Sequence, residues 1–203
     1  MDTKILSYFV RHGSTALNDS NSFRGESDPP LDEHGSQDAE EVKEFLGGKD
    51  FGEVIGSDKL RVQQTAGIVL EKQHKLPVLT PKLRPWNVGY LTGLSKDTHG
   101  SEIDKYQENP DMVIPRGESL NQFRGRVNPV IKFAIKRGFE TGLPSLVFAH
   151  SSIIHQVGHL LHGDHEAGLV KPGGVAVVKL SKEKGLHVEP LFKPETKRTG
   201  YGS

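Results

Sequence analysis

Ile5-Leu6-Ser7-Tyr8-Phe9-Val10, followed at once by Arg11-His12-Gly13-Ser14-Thr15, decides how this chain is read. The apolar run is short, aromatic and β-branched, and turn residues bound it, so it reads as a buried central strand. In an α/β sheet, ligands gather at the carboxyl ends of the strands. Arg11, His12 and Gly13 would then stand at the mouth of a site. Gly13 leaves room for close backbone approach, and Arg11 offers a planar fork to a phosphate or carboxylate. The triplet also fits an ordinary strand-to-loop turn, and the rest of the chain decides between the two.

Downstream, Ser14 to Asp32 is a polar loop of the length that is often functional. Ala39, Val42, Phe45 and Leu46 fall at helical spacing, and Gly47-Gly48 ends that helix. Phe51 to Gly56 reads as a second strand. A helix capped by Ser57 or Asp58 follows to about Lys75, and it puts Arg61 near an anion-favouring helix start. A solvated arginine is the plainer alternative there. Leu76 to Thr80 is a third strand. Pro81 to Gly117, poor in periodicity and broken by many Pro and Gly residues, reads as an insertion that covers the site and sets specificity; its Trp86 is either core packing or a substrate wall. Glu118 to Gly138 is a helix that Pro129 should kink. Ser145 to Ala149 is a strand ending in His150-Ser151-Ser152, with a helix from Ile153 to Leu161. His150 thus repeats the geometry of His12. Val175 to Leu180 and Leu186 to Leu191 complete the strands.

Strands alternating with helices predict an α/β three-layer sandwich: a mostly parallel central sheet, helices on both faces and an inserted cover segment. The 203 residues suit a single domain over 1–192, with 81–117 as the insertion and 193–203 as a flexible tail. Lys plus Arg and Asp plus Glu each number 26, so no basic excess points to nucleic acid. With no cysteine, disulfides and thiolate metal sites are excluded. No run has signal-peptide or membrane-span length. The expectation is a cytoplasmic protein with no membrane partner. Its oligomeric state is left open, a homodimer included.

Blocks of sequence, in order from about Ile5 to Leu180, resemble the histidine phosphatase superfamily, which includes the cofactor-dependent phosphoglycerate mutases. Arg11-His12-Gly13-Ser14-Thr15 with Asn18 is similar to its opening motif. Gly25-Glu26-Ser27-Asp28-Pro29-Pro30-Leu31 with Gly35 is similar to the next. Ser57-Asp58 through Arg61, with Gln64-Thr65-Ala66, resembles the block carrying a second arginine. Val147-Phe148-Ala149-His150 resembles the strand ending in a second histidine, and Pro115-Arg116-Gly117-Glu118-Ser119-Leu120 a Gly-Glu-Ser segment.

The resemblance implies a phosphatase acting on a small phosphorylated substrate, an ester or anhydride, through a phosphohistidine on His12, with no metal and no cofactor. Arg11, Arg61 and His150 would surround the transferred phosphoryl oxygens. Asn18, Arg24, Gly25 and Ser151 would bind substrate. Phosphoryl transfer needs positioning and charge stabilisation above all, which suits these residue types.

The family's acid glutamate, in a Leu-x-Glu-x-x-x-Gly segment, corresponds here to Pro85 in Leu83-Arg84-Pro85-Trp86-Asn87-Val88-Gly89. Either another carboxyl supplies the leaving-group proton, Glu118 first with Asp97 and Glu102 behind it, or the substrate has a good leaving group. Glu118 equally suits a first-turn helix position for its charge alone. Two other activities remain: a mutase-type phosphotransferase, and a phosphate-binding module with reduced catalysis. His155, His159, His162, Asp164 and His165 have zinc-compatible spacing. They lack a supporting second element, so packed or solvated histidines are the expectation and no metal ligand is assigned.

Overall fold

The structure is a computed structural model that describes residues 3–18, 20–73 and 75–195. Its strands are β1 (Lys4–Arg11), β2 (Val54–Ser57), β3 (Val78–Thr80), β4 (Ser145–Ala149), β5 (Val175–Ser181) and β6 (Gly185–Phe192). The helices are α1 (Glu33–Leu46), α2 (Leu60–Leu70), α3 (Lys96–Glu108), α4 (Leu120–Thr141) and α5 (Ser151–His162). The strands form one sheet in the order β3-β2-β4-β1-β5-β6. The pairs β2/β3, β2/β4 and β1/β4 are parallel, whereas β1/β5 and β5/β6 are antiparallel.

The central strands are apolar on both faces because both faces are covered. Tyr8, Val10, Leu146, Phe148, Val175 and Val177 face α1 and α2, where Ala39, Val42, Val62 and Val69 meet them. Their neighbours Phe9, Val147, Ala149 and Val178 share the opposite core with Val127 and Ile131 of α4 and Ile153 and Val157 of α5. Successive strand residues therefore serve opposite layers, as the period of two requires. The result is the three-layer α/β sandwich the sequence predicts. At Gly138, a Cβ would lie 1.8 Å from the Leu6 carbonyl oxygen, so glycine there lets α4 touch the backbone of β1.

Some boundaries differ. The third strand is only Val78–Thr80, and α2 ends at Leu70 rather than near Lys75. Neither Ser57 nor Asp58 caps α2. Its Leu60 N–H donates to Asp28 Oδ1 at 2.9 Å from another loop, while Asp58 binds Arg84. The helix α4 runs through Pro129 as one element.

The cover is not irregular throughout. It holds α3, begun by Ser95, whose side chain accepts from the Asp97 N–H. Ile103 is the buried residue of that helix; it joins Val88, Leu91 and Ile114 in a small separate core. One buried position leaves no period to read. The loop after β1 clips to the cover: Phe23 N–H donates to Leu94 O, and Gly93 N–H to Phe23 O. Of the expected tail, Glu195 donates its N–H to the Glu41 carboxylate, and 196–203 lie outside the described residues. Among the described residues no helix is long and apolar enough to cross a membrane.

Candidate active site

The parallel register of β1 and β4 sets Arg11 beside Ala149. The next residues, His12 and His150, therefore emerge side by side at the carboxyl ends of neighbouring strands. Their ring centroids lie 5.2 Å apart. On the other side of β4, β2 ends at Ser57, and the first turn of α2 brings in Arg61. These side chains are buried: His12 is 4% exposed, Arg61 3% and His150 2%.

Arg61 joins the two imidazoles. Its Nε donates to His12 Nε2 at 3.2 Å, and Nη2 lies 3.2 Å from His150 Nδ1. Its Nη1 donates to the Ser27 carbonyl at 2.8 Å and to Asp28 Oδ1 at 3.4 Å. A guanidinium only donates, and that fixes both tautomers. His12 accepts on Nε2 and donates from Nδ1 to the Gly13 carbonyl at 2.7 Å. His150 accepts on Nδ1 and donates from Nε2 to Ser57 Oγ at 3.0 Å.

Burial, and then the Arg61 charge, hold both histidines well below the ordinary imidazole pKa. Burial also lowers Arg61, to about 10, so it stays a cation at neutral pH. His12 thus carries an unprotonated, aimed Nε2, the form a nucleophilic imidazole needs.

Above them opens a cleft of about 250 Å³, lined by His12, Arg61 and His150 and also by Arg24, Gly25 and Ser151. Arg24 is steadied by donating to the carbonyls of Leu17 and Asn18, each at 3.1 Å. Two expected residues stand behind the wall. Arg11 donates from Nη1 to the Val170 carbonyl at 2.8 Å, and its charge helps keep both histidines neutral. Asn18 Oδ1 accepts from the Thr15 N–H and hydroxyl at 3.1 and 2.7 Å. Its Nδ2 is buried without a partner.

Glu118 is not brought to the cleft. Arg126 grips its carboxylate through Nε at 2.9 Å and Nη2 at 2.5 Å, and the Asn87 N–H donates to it at 2.9 Å. Arg126 also binds the carbonyls of Lys82, Arg84 and Pro85. Glu118 is therefore a strut tying the Pro85–Asn87 segment to α4. Asp97 accepts from Asn21, and Glu102 from the Tyr90 hydroxyl. No carboxylic acid is among the described residues lining the cleft, whereas Pro85 is.

Sequence reasoning missed Lys96, Ser152 and His155 on this wall. Lys96 comes from the unrecognised α3; burial, and then the Arg24 charge, lower its pKa. Ser152 and His155 lie a helical turn apart on α5, a spacing that could have flagged them. His155 donates from Nδ1 to the His165 carbonyl at 2.7 Å, an acceptor that fixes a proton there. Trp86 does both things the sequence allowed, packing on Phe123 and walling the cleft. The other histidines disperse. His162 Nε2 accepts from the Val188 N–H, and His159 stacks on His165 at 4.3 Å. Among the described residues, no group of three or more His, Asp and Glu side chains is set to hold a metal ion.

A model of the histidine phosphatase superfamily, branch 1, matches residues 7–185. The chain belongs to the histidine phosphatase superfamily. Curated relatives of this histidine phosphatase-type chain include two named "probable phosphoglycerate mutase GpmB". The one from Cronobacter sakazakii is 32% identical over 60% of this chain and 59% of its own length. The one from Yersinia pestis (strain Pestoides F) is 30% identical over 70% of this chain and 68% of its own. A crystal structure described as phosphoglycerate mutase from Thermus thermophilus superposes with a TM-score of 0.69 at 28% identity, covering 92% of this chain and 98% of that one. A mycobacterial glucosyl-3-phosphoglycerate phosphatase shares the fold at TM-score 0.71 and 21% identity, covering 92% of this chain and 97% of that one.

The superfamily blocks have local physical reasons in this chain. A Cβ on Gly13 would lie 2.2 Å from the Gly35 carbonyl oxygen, and one on Gly35 2.0 Å from that of Ser14, so both glycines let α1 abut the loop carrying His12. Gln64 accepts from the Leu31 N–H at 2.8 Å, fastening that loop to α2.

Proposed function

We propose that this chain is a phosphohydrolase that forms a covalent phosphohistidine on His12. The observation that carries the reading is the neutral His12, pinned through Nδ1, with Nε2 toward a guanidinium that also holds His150. The Nε2 lone pair attacks phosphorus. The bond to the leaving oxygen breaks, and that oxygen takes a proton from His155, acting as general acid in place of the carboxylic acid the described cleft lining lacks. Arg61 turns its N–H groups from the imidazoles to the equatorial oxygens, and Arg24, Lys96 and the start of α5 add positive potential. Water then attacks the phosphohistidine, gives a proton to His155, and the N–P bond breaks to restore Nε2.

The names of the GpmB relatives favour a second reading, phosphoryl transfer to another hydroxyl in place of water. One experiment separates the possibilities. A labelled aryl phosphate is mixed with the protein and quenched in alkaline denaturant, which preserves phosphohistidine, with His12→Ala as control. Labelled His12 followed by free phosphate is the expected result. Label appearing on an added phosphoglycerate acceptor indicates a mutase. Substrate bound with no His12 adduct indicates a phosphate-binding module.

A further inference from the structure

The cleft continues past Trp86. A second cavity, of about 330 Å³, shares Trp86, Gln107, Ser152 and His155 with the first. Its own walls add Leu120, Phe123 and Arg124 of α4. The inner end is therefore cationic, lined by Arg24, Arg61 and Lys96, and the outer end has an apolar, aromatic wall with one arginine.

That arginine is unlike the other guanidiniums near the cleft. Arg61, Arg84 and Arg126 each meet a carboxylate, and Arg11 and Arg24 donate to backbone carbonyls. Among the described residues, the Arg124 side chain has no hydrogen bond or ion pair, and its Nε is buried without a partner. Burial alone accounts for the lowering of its pKa, with no carboxylate opposing it. Glu166, on the same cavity wall, is exposed and does not pair with it. Ser152 Oγ, at the boundary of the two cavities, is also buried without a partner. Buried donors without acceptors are rare in a folded chain and call for an explanation. Two of them on the wall of one cavity are explained by an acceptor that arrives with a ligand.

We propose that this second cavity is the leaving-group subsite, taking a phosphate monoester whose alcohol or phenol is flat and mainly apolar and bears an anionic group that pairs with Arg124. The proposal rests on the phosphohydrolase reading for the phosphate end only. The anionic group is a carboxylate or a second phosphate; both offer the same acceptor oxygens to a guanidinium. The flat apolar body lies against the wall formed by Trp86, Phe123 and Leu120. Ser152 donates to an oxygen near the junction.

The test uses the intact chain and naphthyl phosphates of three kinds: unsubstituted, carboxylated, and bearing a second phosphate. The carboxylated or bisphosphorylated compound is expected to exceed the unsubstituted one in kcat/KM by about ten- to a hundredfold, chiefly through KM. Whichever gains more identifies the source of the charge. In Arg124→Gln that ratio falls to about one, and Arg124→Lys restores part of it, because a point cation keeps the charge but not the fork. A structural role for Arg124 would lower all the substrates together and leave the ratio standing, which overturns the proposal. So does a wild-type ratio near one. The matching naphthyl phosphonates, with and without the carboxylate, are titrated calorimetrically against wild type and Arg124→Gln. That binding ratio reads the subsite even if no turnover or phosphohistidine is found, so loss of the phosphohydrolase reading and loss of the subsite give different results.

Discussion

The floor of the cleft and its cover are built on opposite principles. The floor is set by strand register: β1, β4 and β2 lie parallel and adjacent, and their carboxyl ends deliver His12, His150 and the turn leading to Arg61. Every such position is dictated by the backbone of a sheet buried on both faces. The cover is set by side chains. It is held by Glu118 with Arg126, by the small core around Ile103, and by backbone bonds to the loop carrying Phe23. Geometry inherited from a sheet changes little when a side chain is replaced, whereas geometry held by one ion pair changes with that pair. Loss of a floor residue should therefore remove chemistry without loosening the fold, and loss of a cover residue should do the reverse.

The largest effect expected is at Arg61. Arg61→Gln removes the donor that would face the phosphoryl oxygens and should lower kcat/KM for an aryl phosphate by about two to three powers of ten. It also removes a charge that depresses both imidazoles. Their pKa values then rise, so the acid limb of the kcat/KM profile, which reports the free enzyme, should move to higher pH. An unmoved limb would mean that His12 is not the group titrating.

A pair of variants sharpens the contrast at Glu118. Glu118→Gln should destabilise the fold by about 2 kcal/mol in denaturant unfolding, because both partners are largely shielded and Arg126 is left with one weaker acceptor. It should leave the ratio of alkyl to aryl phosphate turnover as in wild type. His155→Gln should lower that ratio by about ten- to a hundredfold, since only the alkyl leaving oxygen depends on a delivered proton. If Glu118→Gln lowers the ratio and His155→Gln does not, the roles assigned to them are exchanged.

The same contrast explains what the sequence made legible. The apolar runs ending in His12 and His150 could be placed because a two-face-buried strand is a continuous apolar word, and its carboxyl end is where function sits. The helix α3 could not, having one buried residue and tertiary partners distant in sequence. Glu118 looked available for chemistry because its partner, Arg126, lies two helical turns on and the pairing leaves no mark in a linear reading. Arg124, two residues before that partner, was invisible for the converse reason: its distinction is to lack a carboxylate neighbour, and absence of a contact has no sequence pattern.

Acid separates floor from cover in a further way. In the unfolded chain His12 and His150 would titrate near the ordinary value of about 6.5; in the folded protein, burial and Arg61 hold both well below it. Between those limits the unfolded state binds protons that the native state refuses. Stability is therefore complete above the unfolded value and is lost as pH falls toward the folded ones, by about 1.4 kcal/mol per pH unit for each histidine. His159 and His165, lowered mainly by burial, act in the same direction. Denaturant unfolding between about pH 7 and 5 should show this slope, and a His12→Gln, His150→Gln double variant should flatten it by the share of those two residues. Saturating inorganic phosphate should also flatten it, since an anion among the arginines favours the charged imidazoles that their cations oppose. If the slope is the same in the double variant, the proton-linked loss arises away from the sheet's carboxyl ends, and the floor is less rigidly specified than its register implies.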